Sequence, residues 1–495
     1  MQKNKILLLL PAVFAVIFFT LYPSIPQISD ESEYFRNAYL LMQGKTIINQ
    51  EEYTYNYFGE EGRYFSRYPL TAGLFLIPFI ILGLKSAFLF GLFFFLLGYY
   101  FFIKLLDHNK IDRIWALAYL GYTPFIFHST TLMVDLPSAA LLLGTFYFYA
   151  KRNGPMWGLL SGLSLLLKTT NIIAIAVLLV FSTIKALKSP EKKKSTITAL
   201  LIISVFIAIM AAHNFMLFGS PLKSGYDFIH NNVTFLFSKP DFIQLFIQNI
   251  THYAIFLLLF YPLMLILASI PKYDTKKETL WYTAALIIFF SAANNLPSLA
   301  ISDLIISYRY IFPAAALLLI GYVKFLNDYV VDRVKLLKKY LPAIIAIIAL
   351  LLITASIPIL DLKQQGSART HHIVQDIYGN TEDNSLIIGV QEANYFNEYF
   401  GNRGYLGYLR PTAFDDSEPI INKKIEEYFS AGKSVYLLYF ETPYYSYKKG
   451  VEDATAKLDL LKEKHNGTLV YENSYPVRSP FYTNTMSFKI YKLSA

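Results

Sequence analysis

Ile28-Ser29-Asp30-Glu31-Ser32-Glu33-Tyr34-Phe35-Arg36-Asn37-Ala38-Tyr39-Leu40-Leu41-Met42-Gln43-Gly44 follows directly on the first apolar segment, which runs from about Ile6 to Ile25. Asp30, Glu31 and Glu33 therefore stand where a membrane helix ends and water begins. Tyr34, Ala38, Leu41 and Met42 then recur at helical spacing, which predicts an amphipathic helix in the membrane interface. Gly44 is its expected C-terminal stop. Two readings of the acids stand side by side. Asp30 followed by Glu33 is a capping pattern, and acids suit a helix N-terminus. A carboxylate at a membrane exit also suits proton transfer to or from a substrate held at that depth.

The whole chain favours a membrane setting. It has 495 residues, 55% of them hydrophobic and only 16% charged, with a mean hydropathy of +0.39. That composition excludes an ordinary soluble enzyme and predicts a polytopic α-helical membrane protein. There is no cysteine, so neither a disulfide framework nor a thiolate metal site is available. The net charge is +9, and its placement along the chain carries more information than its sum. Lys3 and Lys5 precede the first apolar run, and no small-residue cleavage site follows it, so the first helix is read as retained.

Further apolar segments lie near 86–106, 114–131, 136–150, 156–169, 171–188, 196–216, 252–270, 279–294, 310–326 and 341–359, which makes about eleven spans. Alternation gathers the dense basic clusters on one side: Lys3/Lys5, Lys104–Arg113, Lys151/Arg152, Lys185–Lys194, Lys272–Lys277 and Lys324–Lys339. That side is read as cytoplasmic, with the N-terminus there and a multi-pass location in the plasma membrane. The apolar run 70–84 is assigned to a second interfacial helix, because counting it as a span would put Lys192-Lys193-Lys194 outside. The outer side then receives 28–85, 217–251, 295–309 and everything after about 360. The expected domains are 1–359, a transmembrane catalytic domain with 28–85 as its first outer loop, and 360–495, a small extracytoplasmic α/β domain. In the latter, Ser385–Gln391, Ser434–Phe440, Gly467–Tyr471 and Met486–Leu493 read as strands, and Ile420–Ala431 and Ala454–His465 as helices.

Several polar residues stand out against this background. Asp135 in Leu132-Met-Val-Asp-Leu-Pro falls between two spans on the outer side, where it is either a helix-start acid or a neighbour of Asp30 in one cleft. Lys168 sits among leucines, at a cost of roughly 2.5–3.5 kcal/mol near the bilayer centre, so it must snorkel, pair with an acid or meet a phosphate. Arg63 and Arg67 lie at headgroup depth in the first outer loop. Arg309 opens a span from the outside, against the cytoplasmic bias of basic residues. Lys223, Tyr226 and Asp227 are the polar tips of a Gly/Pro-defined outer loop. Cations and acids gathered at one face of a lipid-embedded scaffold suit a reaction on an anionic lipid.

These stretches together resemble the GT-C class of polyprenyl-phosphate-sugar-dependent glycosyltransferases, in the branch of protein O-mannosyltransferases and aminoarabinose-transferase-like proteins. Asp30-Glu31 resembles the family's Asp-Glu motif after the first span, Arg67-Tyr68-Pro69-Leu70 its Lys-Pro-Pro-Leu segment, and Asp135 its second acidic site. Trp157 through Lys168-Thr169 and Arg309-Tyr310-Ile311-Phe312-Pro313 resemble two later motifs, so the likeness spans about 6–325. Ser66 stands where the aminoarabinose branch carries a Glu. The resemblance implies an inverting transfer from a dolichyl- or undecaprenyl-phosphate monosaccharide to a glycan, protein or lipid hydroxyl. Asp30 would be the general base, with Arg67, Lys168, Arg309 and Arg63 on the donor phosphate. Glu31 and Asp135 would orient the acceptor or hold a divalent cation. Membrane lipids are expected partners and nucleic acid is not. A multi-pass lipid or sugar transporter or flippase and a non-catalytic glycan-assembly scaffold are the competing classes. The first predicts internal repeats with broken helices at mid-membrane, and no clear repeat pair is present.

Overall fold

A computed structural model describes residues 2–26, 28–46, 57–60, 63–66, 68–187, 189–225, 241–259, 261, 263–293, 308–331, 335–391, 403–409, 417–441, 448–479 and 482–495. In chain order the elements are α1 (Gln2–Leu21), α2 (Ser29–Met42), β1 (Tyr57–Glu60), β2 (Arg63–Ser66), α3 (Leu70–Ile80), α4 (Leu89–His108), α5 (Leu117–Leu120), α6 (Thr123–Ser129), α7 (Asp135–Ala150) and α8 (Gly154–Leu167). Then come α9 (Ile172–Ala186), α10 (Pro190–Phe218), α11 (Phe242–Leu259), α12 (Met264–Ala268), α13 (Lys276–Ala293), α14 (Phe312–Phe325) and α15 (Lys335–Gly379). The chain ends with β3 (Leu386–Gln391), β4 (Gly404–Leu409), α16 (Ser417–Ser430), β5 (Val435–Glu441), α17 (Lys448–Lys464), β6 (Thr468–Ser479) and β7 (Tyr482–Lys492). Helix therefore occurs in every apolar segment read from the sequence. Among the described residues five stretches are long and apolar enough to cross a membrane: Leu84–His108, Thr169–Ala186, Pro190–Phe218, Arg309–Val331 and Lys339–Gly379. The 11 residues of α3 reach only about 16 Å, half of a bilayer core.

Contacts divide the chain into two units. The first comprises Met1–Tyr22, Phe88–Lys223 and Val233–Leu360; the second comprises Pro23–Ala87, Ser224–Asn232 and Asp361–Ala495. Residues 23–87 thus cluster with the C-terminal residues.

In the first unit, close helix contacts are made by glycine. Gly154, Gly158 and Gly162 recur every fourth residue along α8, against α10. A Cβ on Gly154 would lie 2.4 Å from the Ser195 carbonyl oxygen, and one on Gly158 would lie 2.8 Å from the Ala199 Cα. Such small-residue seams let backbones approach where no water is available to drive association. Gly158→Leu is expected to lower stability by at least about 1–3 kcal/mol through overpacking, visible as a lower unfolding temperature in detergent. Gly91 of α4 is equally confined, with a Cβ position 2.3 Å from the Ser129 carbonyl oxygen. That contact fixes the turn leading into Asp135.

In the second unit, α2 packs on α3, and a Cβ on Gly73 would lie 2.8 Å from the Ala38 nitrogen. Burial on α2 extends beyond the predicted apolar stripe: Glu31, Glu33, Arg36 and Asn37 are buried, whereas Met42 is 45% exposed. β1 and β2 form an antiparallel hairpin. The five-stranded sheet runs β4-β3-β5-β7-β6, parallel across β4-β3-β5 and antiparallel across β5-β7-β6. Strand alternation sends Leu386, Ile388 and Val390 into one core with Ile421 and Ile425 of α16 and Leu458 of α17. It sends Ile387, with Leu438 and Phe488, into a second core with Ile373, Val374 and Ile377 of α15. Helices on both faces explain why Ser385–Gln391 reads as a continuous apolar run. The predicted strand at Gly467–Tyr471 extends to Ser479, and β1, β2 and β4 are additions to the sequence reading.

Candidate active site

Three residues from three separate turns of the first unit converge. Asp135 is the first residue of α7, where the helix dipole favours an acid. Lys168 lies where α8 ends, with an extended backbone (φ −150°, ψ 113°) that turns the chain toward α9. Arg309 lies in a short 3-10 turn, Tyr308–Ile311, just ahead of α14. Lys168 Nζ donates to Asp135 Oδ1 at 2.5 Å, and Arg309 Nε stands 3.4 Å from Asp135 Oδ2. Exposure of the three side chains is 13%, 11% and 4% for Lys168, Arg309 and Asp135. Charges this far from water must be mutually compensated. Among the described residues, two cations against one carboxylate leave one net positive charge.

The supporting residues are specific. The Ser138 hydroxyl donates to Asn171 Oδ1 at 2.8 Å, and Asn171 Nδ2 donates to the Ser164 carbonyl at 2.8 Å. These bonds tie the Lys168 turn to α7 and to the end of α8. Phe290 and Tyr310 stack at 4.9 Å, and the Lys168 ammonium lies 5.7 Å and 5.2 Å from their ring centroids. The Arg309 guanidinium lies 4.8 Å from the Tyr310 ring. An aromatic wall of this kind holds cations in a dry site without neutralising them. Buried His128 completes the neighbourhood, its Nδ1 3.4 Å from the Thr131 hydroxyl. Sequence reasoning singles out none of His128, Asn171 and Phe290 and meets Tyr310 only as part of the Arg309 motif, since a lone aromatic or amide in an apolar setting carries no distinguishing signal.

The second unit holds the early carboxylates. Asp30 is the second residue of α2 and is half-buried. The capping pattern is shifted by two residues from the sequence reading: the Ile28 N–H donates to Glu31 Oε2 at 3.1 Å. Lys363 Nζ donates to the other oxygen of Glu31 at 2.9 Å, with both side chains buried. Both oxygens of Glu31 are therefore engaged inside the protein. Ser66 accepts from Asn37 Nδ2 at 2.9 Å and from the Tyr68 N–H at 3.2 Å, tying the hairpin to α2.

Of the remaining candidates, Arg63 lies in β2, paired in register with Glu60. Lys223 is exposed beyond α10. Arg67, Tyr226 and Asp227 lie outside the described residues. Among the described residues no group of three or more His, Asp or Glu side chains is placed to hold a metal ion.

The helical unit and the small sheet unit have an ArnT-like fold. Its likeness to solved structures runs the length of the chain. ArnT from Cupriavidus metallidurans in the apo state is similar with a TM-score of 0.64 at 13% identity, over 99% of this chain and 98% of that one. The same protein bound to undecaprenyl phosphate is similar with a TM-score of 0.60 at 13% identity, over 98% and 97%. At that identity the likeness establishes the fold. No family model matches the chain, and no curated protein matches it by sequence.

Proposed function

We propose that the protein is a membrane glycosyltransferase. It moves a monosaccharide from a polyprenyl-phosphate carrier to an acceptor hydroxyl at the extracytoplasmic face, with inversion at the anomeric carbon. The observation that carries this reading is the convergence of Lys168 and Arg309 on Asp135. The likeness to an ArnT structure bound to undecaprenyl phosphate supports the carrier.

The chemistry fits the charge count. A polyprenyl-phosphate sugar is a phosphodiester with one negative charge, equal and opposite to the net charge of the three residues. In the transfer, the bond between the anomeric carbon and the phosphate oxygen breaks, and its electron pair stays on that oxygen. The acceptor oxygen bonds to the opposite face of the sugar and gives its proton to a base, assigned to Asp30 by the family resemblance. The departing lipid phosphate gains a second negative charge, so it needs cations more than a proton donor. Lys168 and Arg309 supply them, and Asp135 keeps both in place. The family resemblance assigns Arg63 and Arg67 to the donor phosphate as well. Asp227, Tyr226 and Lys223 are assigned to substrate contact in their loop.

Titration of the purified protein with undecaprenyl phosphate tests the donor site. A charge-assisted hydrogen bond contributes about 1.5–3 kcal/mol, so Lys168→Met and Arg309→Gln are each expected to weaken binding on the order of 10–100-fold. Saturable binding of equal strength in wild type and both variants would remove the two cations from the site.

A further inference from the structure

The two ends of α9 carry different polar clusters. Lys168 lies just before its first turn, and Lys185 lies in its last. The 15 residues of α9 separate those ends by about 22 Å. Around the Lys185 end is a cavity of about 130 Å³, bounded by the end of α7, the starts of α8 and α10 and the turn before α13. Arg152, Lys185, Lys192, Ser182, Ser195 and Asp274 contribute to its lining. At the volume of liquid water it holds about four molecules, enough for a phosphate group and the first atoms of its ester.

The charges there are unequally committed. Glu278, 2% exposed, receives Lys185 Nζ at 2.6 Å and the Tyr149 hydroxyl at 3.0 Å, so Lys185 is consumed internally. Asp274 is paired with His108 at 2.8 Å. Arg152 faces Glu191 at 3.7 Å with both side chains more than half exposed, a pairing worth little. Lys192 makes no ion pair among the described residues. Arg152 and Lys192 thus remain for an external anion at the rim. Ser195 stands beside them because the Gly154 seam draws α10 onto α8. The outward surfaces of α9 and α10 continue from this rim as exposed hydrocarbon, with Ile184 at 50%, Leu187 at 85%, Ile197 at 47% and Leu201 at 65% exposure.

We propose that this cavity binds the phosphate of an anionic phospholipid from the leaflet on the basic side of the membrane, with Arg152 and Lys192 on the phosphate and the acyl chains along α9 and α10. A basic recess between helices at that face has the chemistry of an anionic headgroup site. The site is separate from the Lys168 cluster and does not depend on the transferase reading.

The test uses the full-length protein in detergent, with unfolding temperature followed against added dioleoylphosphatidylglycerol. Saturable stabilisation is expected, with none from dioleoylphosphatidylcholine. Each removed cation is expected to raise the half-saturating concentration about fivefold, so Arg152→Gln with Lys192→Gln raises it about 25-fold. Ser195→Asp, which places a carboxylate in the cavity, gives a second and independent loss of binding. Equal stabilisation by the two lipids overturns the proposal, as does unchanged half-saturation in both the double variant and Ser195→Asp. Equal stabilisation by inorganic phosphate alone overturns the lipid assignment in favour of a soluble anion.

Discussion

Asp30→Asn is expected to lower sugar transfer by about 10²–10⁴-fold, the usual contribution of a positioned general base. The change is nearly isosteric at a half-buried position in the first turn of α2. The helix should survive it, because the first-turn N–H of Ile28 is satisfied by Glu31 instead. Unfolding temperature and undecaprenyl phosphate affinity are therefore expected to stay near wild type while turnover collapses. Release of undecaprenyl phosphate from a panel of undecaprenyl-phosphate sugars, with purified wild type and variant side by side, measures it. Turnover within a few-fold of wild type would end the base assignment and leave the proposed role of Lys168 and Arg309 standing.

Lys363→Ala should act in the opposite way, on stability before chemistry. Its ammonium is the buried partner of Glu31, whose side chain has no exposure at all. Removing one member of such a pair leaves an uncompensated buried charge and costs about 3–5 kcal/mol. The variant should unfold well below wild type, or fail to accumulate. Lys363→Met combined with Glu31→Gln removes both charges and should recover much of the loss, since a buried pair is often close to neutral against apolar or uncharged replacements. If Lys363→Ala melts like wild type, the pair is not what holds α2 against α15.

The contrast between Asp30 and Glu31 illustrates what could be read in advance. Adjacent acids at a membrane exit are visible in the sequence. Which of them faces inward is decided by a lysine more than 300 positions later, in a stretch that reads as the start of a polar domain. The long apolar runs are legible because hydrocarbon thickness acts on whole segments. Lys168 and Arg309 stood out for the same reason, as charges where charge is costly. Their meeting on Asp135 was not legible. Asp135 grouped more naturally with the other outer-side acids, and only packing brings the two distant turns to it. β4, Gly404-Tyr-Leu-Gly-Tyr-Leu, does not read as a strand because its two glycines lower strand propensity. The β1–β2 hairpin lies in a polar, glycine-broken stretch without sustained alternation.

Among the described residues the sheet ends on β6, a strand of 12 residues. A terminal strand that long is a template onto which a neighbouring polypeptide can add itself. Here its register slips between Leu469 and Tyr471, and Glu472 and Pro476 are exposed along it. A kink, a charge and a residue with no N–H to offer each spoil continuous pairing. Those interruptions work against strand-to-strand pairing between copies of the chain, and replacing Pro476 with valine is the change that would most invite fibrous association.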